Sequence, residues 1–206
     1  VFGRAIVMPN LKPPVTSVEM ALDYRSRILK HKIPGSDFNP LMTLFLTDNL
    51  DPNQIVSVSN EESVVAVKYY PAGATTNSDT GVTNIENVYP IIEKMAELGV
   101  PLLLHGEVTE NHIDIFDREK VFIETILAPL IDRYPDLKVI LEHITTKDSV
   151  DFIESQSSRV AGTITIHHLL YNRNDMLVGG IKPHLYCLPV LKRNIHQSSL
   201  IQAALG

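Results

Sequence analysis

The sequence predicts an α/β fold: a partial (β/α)8 barrel, about six of its eight strands in view, forming one incomplete domain over residues 1–206. Three observations point there. Continuous Val/Ile/Leu runs, not alternating ones, mark strands covered on both faces, as parallel strands under helices are. Strand-like and helix-like stretches alternate roughly every 30 to 40 residues. Chemically capable residues fall at the C-terminal ends of several different strands, which is the habit of a barrel. An open dinucleotide-type sheet is the competing architecture, but Met8-Pro9-Asn10-Leu11 is not the Gly-rich turn it needs after its first strand.

Each element has its own justification. The stretch Arg4 to Asn10 reads as a short buried strand that Pro9 stops. After the Pro13-Pro14 turn, Thr16 or Ser17 can cap an amphipathic helix over 18–29, with Met20, Leu22 and Ile28 alternating with Arg25, Arg27 and Lys30. Pro34-Gly35-Ser36 breaks that pattern, and 41–46 forms the next strand. Asp51-Pro52 opens a short helix. The strand 64–68 follows, then a loop of small hydroxylated residues. A helix over 85–98 turns Ile91, Ile92, Met95 and Leu98 inward, has Pro90 near its first turn and stops at Gly99. Residues 101–105 are a strand. A long helix over 114–133 starts with acids, which its dipole favours. Residues 138–144 are a strand, and Thr145-Thr146-Lys147-Asp148 resembles a capping box with Asp for Glu. Residues 160–170 read as a further strand, 172–180 as loop and 191–205 as a helix.

Composition excludes several classes. The net charge is −6 and the basic residues are dispersed, which argues against a nucleic-acid surface. No apolar stretch is long enough to cross a bilayer, so no membrane partner is expected. Cys187, the single cysteine, excludes an internal disulfide and reads as a buried structural thiol. Val1 to Ile6 lacks an initiator Met and looks like a strand already under way, and Leu205-Gly206 closes no element. A fragment is expected.

The chemistry centres on Lys68, His105 and His143, each ending an apolar run, at intervals of 37 and 38 residues. Equivalent strand ends would aim the three side chains at one point. Neutral imidazole is a good ligand for zinc-like metals. An ammonium repels a metal, but an amine that captures CO2 becomes a carbamate, an anion whose two oxygens can bridge two ions. Taken singly, each has a plainer reading: a lysine that snorkels to water, or histidines satisfied within the core. The repeated placement favours the metal.

Met8-Pro9-Asn10, Lys68 to Ser78, His105-Gly106-Glu107-Val108, Glu142 to Asp148 and His184 to Pro189 together resemble dihydroorotase, the single-function bacterial and plant type within the amidohydrolase superfamily. The resemblance covers essentially the whole chain in order. It implies reversible hydrolysis of the cyclic amide of dihydroorotate to N-carbamoyl-L-aspartate in pyrimidine biosynthesis. The implied cofactors are two Zn2+ ions per subunit, with Co2+ or Mn2+ as substitutes, sharing a nucleophilic hydroxide, and CO2 to carboxylate the lysine. Position by position, Lys68 matches the bridging carboxylated lysine. His105 and His143 match metal-ligating histidines, His105 also lying against substrate. Asn10 matches a residue that binds the substrate carboxylate, Leu188 a backbone contact to the ring, and Thr75 and Thr76 the tip of a mobile loop that closes over substrate. The resemblance also implies a homodimer, in the cytoplasm or a plant organelle. The family's His-x-His strand is expected before residue 1, and its general acid/base Asp after residue 206, so the 206-residue piece alone is expected to be inactive.

Smaller expectations complete the reading. His167 and His168, adjacent on a strand, would face opposite sides and serve packing or surface, position 167 being glutamine in the family's usual pattern. Asp114, Asp117 and Glu119 read as a solvated helix start, and Glu107 as a neighbour supporting the metal site. The rival readings are a hydantoinase- or dihydropyrimidinase-like amidohydrolase, which lacks the Thr75-Thr76 loop and the 184–189 stretch, and a non-catalytic barrel homologue serving as an assembly partner, for example of aspartate transcarbamoylase.

Overall fold

In the computed structural model, which describes residues 2–206, the first run forms β1 (Arg4–Val7). Val1, read from sequence as part of a strand under way, lies outside the described residues. Contrary to the expected buried strand, β1 alternates exposed and half-buried positions, with Ile6 48 % exposed. The six strands of the sheet lie in chain order, each beside its neighbour in sequence, the topology of a partial (β/α)8 barrel. The chain divides into two compact units: residues up to Leu103 with Tyr134–Lys138, and Leu104–Arg133 with Val139–Gly206.

In the first unit β1 pairs in parallel with β2 (Asn39–Phe45), from Arg4 opposite Asn39 to Val7 opposite Met42. Strand β2 pairs in parallel with β3 (Val64–Tyr69), with an irregularity between Met42 and Thr43. The buried Thr43 hydroxyl donates to the Val7 carbonyl at 2.7 Å. Helix α1 (Val18–Lys30) is capped by Ser17, whose side chain accepts from Met20 N–H. Its inward face centres on Ala21, whereas Leu22 is exposed, because a thirteen-residue helix seated on β2 can bury only a narrow stripe. Helix α2 (Asn53–Ser59) follows Pro52, with the Asp51 carboxylate accepting from Asn53 N–H. A 3-10 turn at Ile85–Val88 leads into α3 (Tyr89–Leu98), which Gly99 ends at φ 67°, a conformation that suits glycine. The interior of this unit is built from Phe45, Leu46, Val67 and Ile92, all fully buried, and each such side chain contributes roughly 1.5–3 kcal/mol.

Strand β4 (Leu102–His105) carries the chain from the first unit into the second. The long helix expected from residue 114 starts at Arg118. It runs as α4 (Arg118–Phe122), widens to a π turn at Ile123–Leu127, where Ala128 N–H reaches back to the Ile123 carbonyl, and continues as α5 (Ala128–Arg133). Strand β5 (Val139–Glu142) leads to α6 (Lys147–Ser155). Strand β6 (Val160–Gly162) pairs in parallel with β5 and is much shorter than expected. Beyond it the chain forms α7 (Ile166–Leu170), not strand, and residues read as loop include α8 (Arg173–Leu177), closed by an Asn172/Asp175 capping box. Helix α9 (Asn194–Leu205) ends the fold. No helix of the described residues is long and apolar enough to cross a membrane.

Candidate functional site

The predicted residues sort into the two units. In the first, Lys68 is the penultimate residue of β3 and fully buried, its Nζ 4.8 Å from the centre of the Tyr70 ring. The loop that follows is pinned at its base. Pro71 bridges to Val82, and Val82 N–H donates to the Tyr70 carbonyl at 2.9 Å. The buried Ser78 hydroxyl accepts from Thr75 N–H at 2.8 Å and donates to the Thr75 carbonyl at 2.6 Å. Thr75 is half-buried and Thr76 exposed. The Asn10 amide donates to the Thr76 carbonyl, and the Asn77 amide to the Asn10 carbonyl, both at 3.0 Å. The structure thus joins the expected carboxylate-binding residue to the expected loop tip. A surface depression of about 530 Å3 beside Leu11 and Lys12 includes none of the predicted residues.

In the second unit His105 closes β4 and is buried, while His143, just past β5, is half-buried with φ 45°. Their rings approach to 4.9 Å between centroids at 63°. His105 Nε2 lies 2.8 Å from Glu107 Oε2, and both side chains are almost fully buried. A carboxylate only accepts, so Nε2 carries the proton when Glu107 is ionised and Nδ1 is the lone-pair nitrogen. Glu107 Oε1 is buried with no hydrogen-bond partner among the described residues. Leu188 is half-buried at a cis peptide bond to Pro189.

Comparison with known proteins shows what the chain as a whole is similar to. An amidohydrolase family profile matches residues 54–149. The chain is similar to the dihydroorotase of Vibrio parahaemolyticus, with 60 % identity over 202 residues, 98 % of this chain and 59 % of the relative. The chain matches dihydroorotases along nearly all of its own length. It therefore spans about three-fifths of the length of the curated relatives it matches. Its fold is similar to the crystal structure of dihydroorotase from Campylobacter jejuni, at TM-score 0.89 and 38 % identity, covering 98 % of this chain and 58 % of that one. It is also similar to the Saccharomyces cerevisiae dihydroorotase in complex with 5-fluoroorotic acid, at TM-score 0.86 and 32 % identity, again with 98 % and 58 % coverage. A D-hydantoinase from a Bacillus species shares the fold at TM-score 0.72 but only 16 % identity, over 98 % of this chain and 47 % of that one.

Within this chain, the donor chemistry fits part of a metal centre. His105 and His143 converge as two imidazoles with a buried carboxylate behind one of them, the usual support of a ligating histidine. Among the described residues no group of three or more His, Cys, Asp or Glu comes together to hold an ion.

Several expectations need correction. Glu119 is not solvated. It is 2 % exposed, and its carboxylate accepts from the backbone and hydroxyls of Thr145 and Thr146 and from the Ser149 hydroxyl, while Asp114 and Asp117 are exposed as expected. The cap of α6 is Thr146, accepting from Ser149 N–H, and the acid facing that turn is Glu119 on another helix, not Asp148. His167 and His168 do not face opposite sides: on α7 their rings lie 4.0 Å apart. The 160–170 stretch leaves the sheet at Thr163, whose hydroxyl and carbonyl accept from His143 and Ile144 N–H. Cys187 is exposed, because the chain around it runs over the surface between α8 and α9.

Two buried groups make contacts that the sequence does not reveal. His168 Nε2 lies 3.1 Å from the Pro189 carbonyl and Nδ1 2.6 Å from the Thr165 hydroxyl, which ties α7 to the segment holding Leu188. Burial, reinforced by His167, pushes its pKa down to about 4. Lys192 is buried and donates to the Val190 carbonyl at 3.0 Å. Burial lowers its pKa, against the opposing pull of Glu119 and Glu107. Lys192 follows Val190-Leu191 but precedes Arg193, so its neighbours in sequence give no clear sign of burial.

Proposed function

We propose that this chain is the part of a dihydroorotase that carries one half of a binuclear metal site and part of the substrate pocket, in an enzyme that reversibly hydrolyses the cyclic amide of dihydroorotate to N-carbamoyl-L-aspartate for pyrimidine synthesis. The observation that carries the reading is the buried Glu107–His105 pair with the His143 ring against it, in a chain 60 % identical to a bacterial dihydroorotase. The yeast relative's complex with 5-fluoroorotic acid supports a carboxylated pyrimidine as ligand. The hydantoinase likeness, at 16 % identity, speaks for the fold alone.

In this reading both units belong to one incomplete barrel domain, and the protein acts as a homodimer in the cytoplasm or a plant organelle. Lys68, as a carbamate formed with CO2, and the imidazoles of His105 and His143 would hold the metal, two Zn2+ ions or Co2+ or Mn2+ in their place. Bound metal supplies Lewis acidity and a nucleophile available near neutral pH. Glu107 holds His105 in one tautomer, so that Nδ1 is presented for ligation. The Asn10 amide binds the substrate carboxylate, exchanging the Thr76 carbonyl for it. Thr75 and Thr76 then close over the ring and exclude water, and the backbone at Leu188 orients the ring.

Lys68→Met tests the metal assignment. It preserves the volume of a buried side chain but cannot form a carbamate. In the full-length protein the folded variant should retain well under half of the wild-type metal and lose activity, and full metal retention would refute the role. A substrate panel tests the ring chemistry: dihydroorotate should turn over far faster than an uncharged cyclic amide such as hydantoin, because the Asn10 contact requires a carboxylate. Equal rates would favour the hydantoinase-like rival.

A further inference from the structure

The carboxylate of Glu119, at the start of α4, is served by one short segment of a different element. Thr145 N–H donates to Oε1 at 2.9 Å and to Oε2 at 3.0 Å, and the Thr145 hydroxyl to Oε2 at 2.6 Å. Thr146 N–H and its hydroxyl donate to Oε1 at 2.9 and 2.7 Å, and the Ser149 hydroxyl also reaches Oε1. A buried carboxylate is unfavourable unless its oxygens are satisfied, and here both are. An apolar side chain would fill the same volume without that desolvation. The arrangement is one that fixes a backbone.

The fixed backbone begins two residues beyond His143, which sits at φ 45° in the left-handed region. Non-glycine residues stay there only when their surroundings over-determine them. The surroundings hold the chain from two directions. Thr163 accepts from His143 N–H at 2.8 Å and from Ile144 N–H at 2.9 Å, and Glu119 takes the next two N–H groups.

We propose that Glu119 is a positioning residue for His143: by clamping Thr145 and Thr146 it keeps His143 in the left-handed conformation that turns its imidazole against that of His105. Glu119 touches neither ring and acts through the backbone. The inference rests on the reading of His143 as a metal ligand.

The test uses the full-length, metal-loaded protein and three variants. Glu119→Gln keeps the volume but turns one acceptor oxygen into an NH2 group facing donors. Thr145→Val removes a single hydroxyl donor. His143→Asn removes the imidazole while retaining a residue that tolerates positive φ. The readouts are kcat and KM separately, metal retained after dialysis, and the ring resonances of His143 in histidine-labelled protein. For Glu119→Gln we expect kcat to fall about 10- to 100-fold with KM changing less, partial loss of metal and a displaced His143 signal, since misplacement by about 1 Å is enough for such losses. Thr145→Val should move the same readouts in the same direction by less, and it decides the matter if Glu119→Gln does not fold. The proposal is overturned if either folded variant has a lowered thermal midpoint but wild-type kcat, metal content and His143 resonances. If His143→Asn itself keeps metal and turnover, the ligand reading fails and this inference with it. If His143→Asn loses both while the other variants keep them, only the role of Glu119 is refuted.

Discussion

His168 should make the folded state lose stability in mild acid, by an amount that can be worked out from its surroundings. Its ring is 3 % exposed, and the Pro189 carbonyl can only accept, so Nε2 carries the single proton and Nδ1 accepts from the Thr165 hydroxyl. A second proton would have to enter a dry site beside His167, and the folded-state pKa is accordingly about 4 against 6.5 for an unburied histidine. Between those values the unfolded chain binds a proton that the folded chain does not, so stability falls as pH drops below 6.5 and the loss levels off below about 4. At 1.36 kcal/mol per unit, the interval amounts to about 3 kcal/mol, a large share of the roughly 5–15 kcal/mol typical of a domain. The assay is urea unfolding of the wild type and His168→Gln at a series of pH values from 7.5 down to 4. The glutamine cannot titrate, and it should carry a pH-independent penalty of about 1–3 kcal/mol for imperfectly replaced hydrogen bonds. The two stability curves should converge as pH falls, the wild type losing about 3 kcal/mol relative to the variant. Carboxylates common to both proteins cancel in the difference. Curves that run parallel would refute the neutral, buried assignment.

Other consequences can be checked with simple measurements. Thr75→Ala combined with Thr76→Ala should lower kcat about five- to thirtyfold, the equivalent of one or two hydrogen bonds, with metal content unchanged; unaltered steady-state kinetics would remove the lid role. Gly81→Ala would place a Cβ 2.4 Å from the Tyr70 carbonyl oxygen and 2.9 Å from that of Ser78, both rigid backbone. It should destabilise the loop base by about 1–3 kcal/mol in thermal unfolding, and a midpoint equal to wild type would contradict the tight packing seen there. Cys187, being exposed, should react with a disulfide reagent in the native protein at one equivalent per chain, within minutes and without denaturant.

The strands that carry Lys68, His105 and His143 were readable because uninterrupted apolar runs ending in a polar residue have few other uses in an α/β chain. Glu107 was expected only as a neighbour of the metal site, and its pairing with His105 came from the structure. What escaped was either long-range or ambiguous in period. Glu119 looked like a dipole-favoured helix start, and nothing near it in sequence reveals partners 26 and 27 residues away. The run Ile166-His167-His168-Leu169-Leu170 suits strand or helix equally, and the structure resolves it as helix because Thr163 spends its hydrogen bonds on the His143 turn and ends the pairing. The left-handed conformation of His143 has only a weak signal in its identity, histidine being among the few non-glycine residues enriched there. Asn10 was placed by resemblance, and its two-way link with Thr76 and Asn77 came from the structure.

The π turn at Ile123–Leu127 bears on how the length of this chain can change. A turn closed from residue i to i+5 holds one residue more than an α turn, and absorbs the roughly 100° of rotation that an extra residue would otherwise impose on everything after it. Phe122 and Ile123 before Leu127, and Leu130 and Ile131 after it, consequently all remain inside. Thr125 lies on the outer side, exposed, its hydroxyl donating to the carbonyl one turn back at Val121. Deleting Thr125 should restore a regular helix with both flanks still in phase. This helix is therefore the place where a one-residue gap between relatives can be accommodated, with Glu119 on one side of it and β5 on the other left in register.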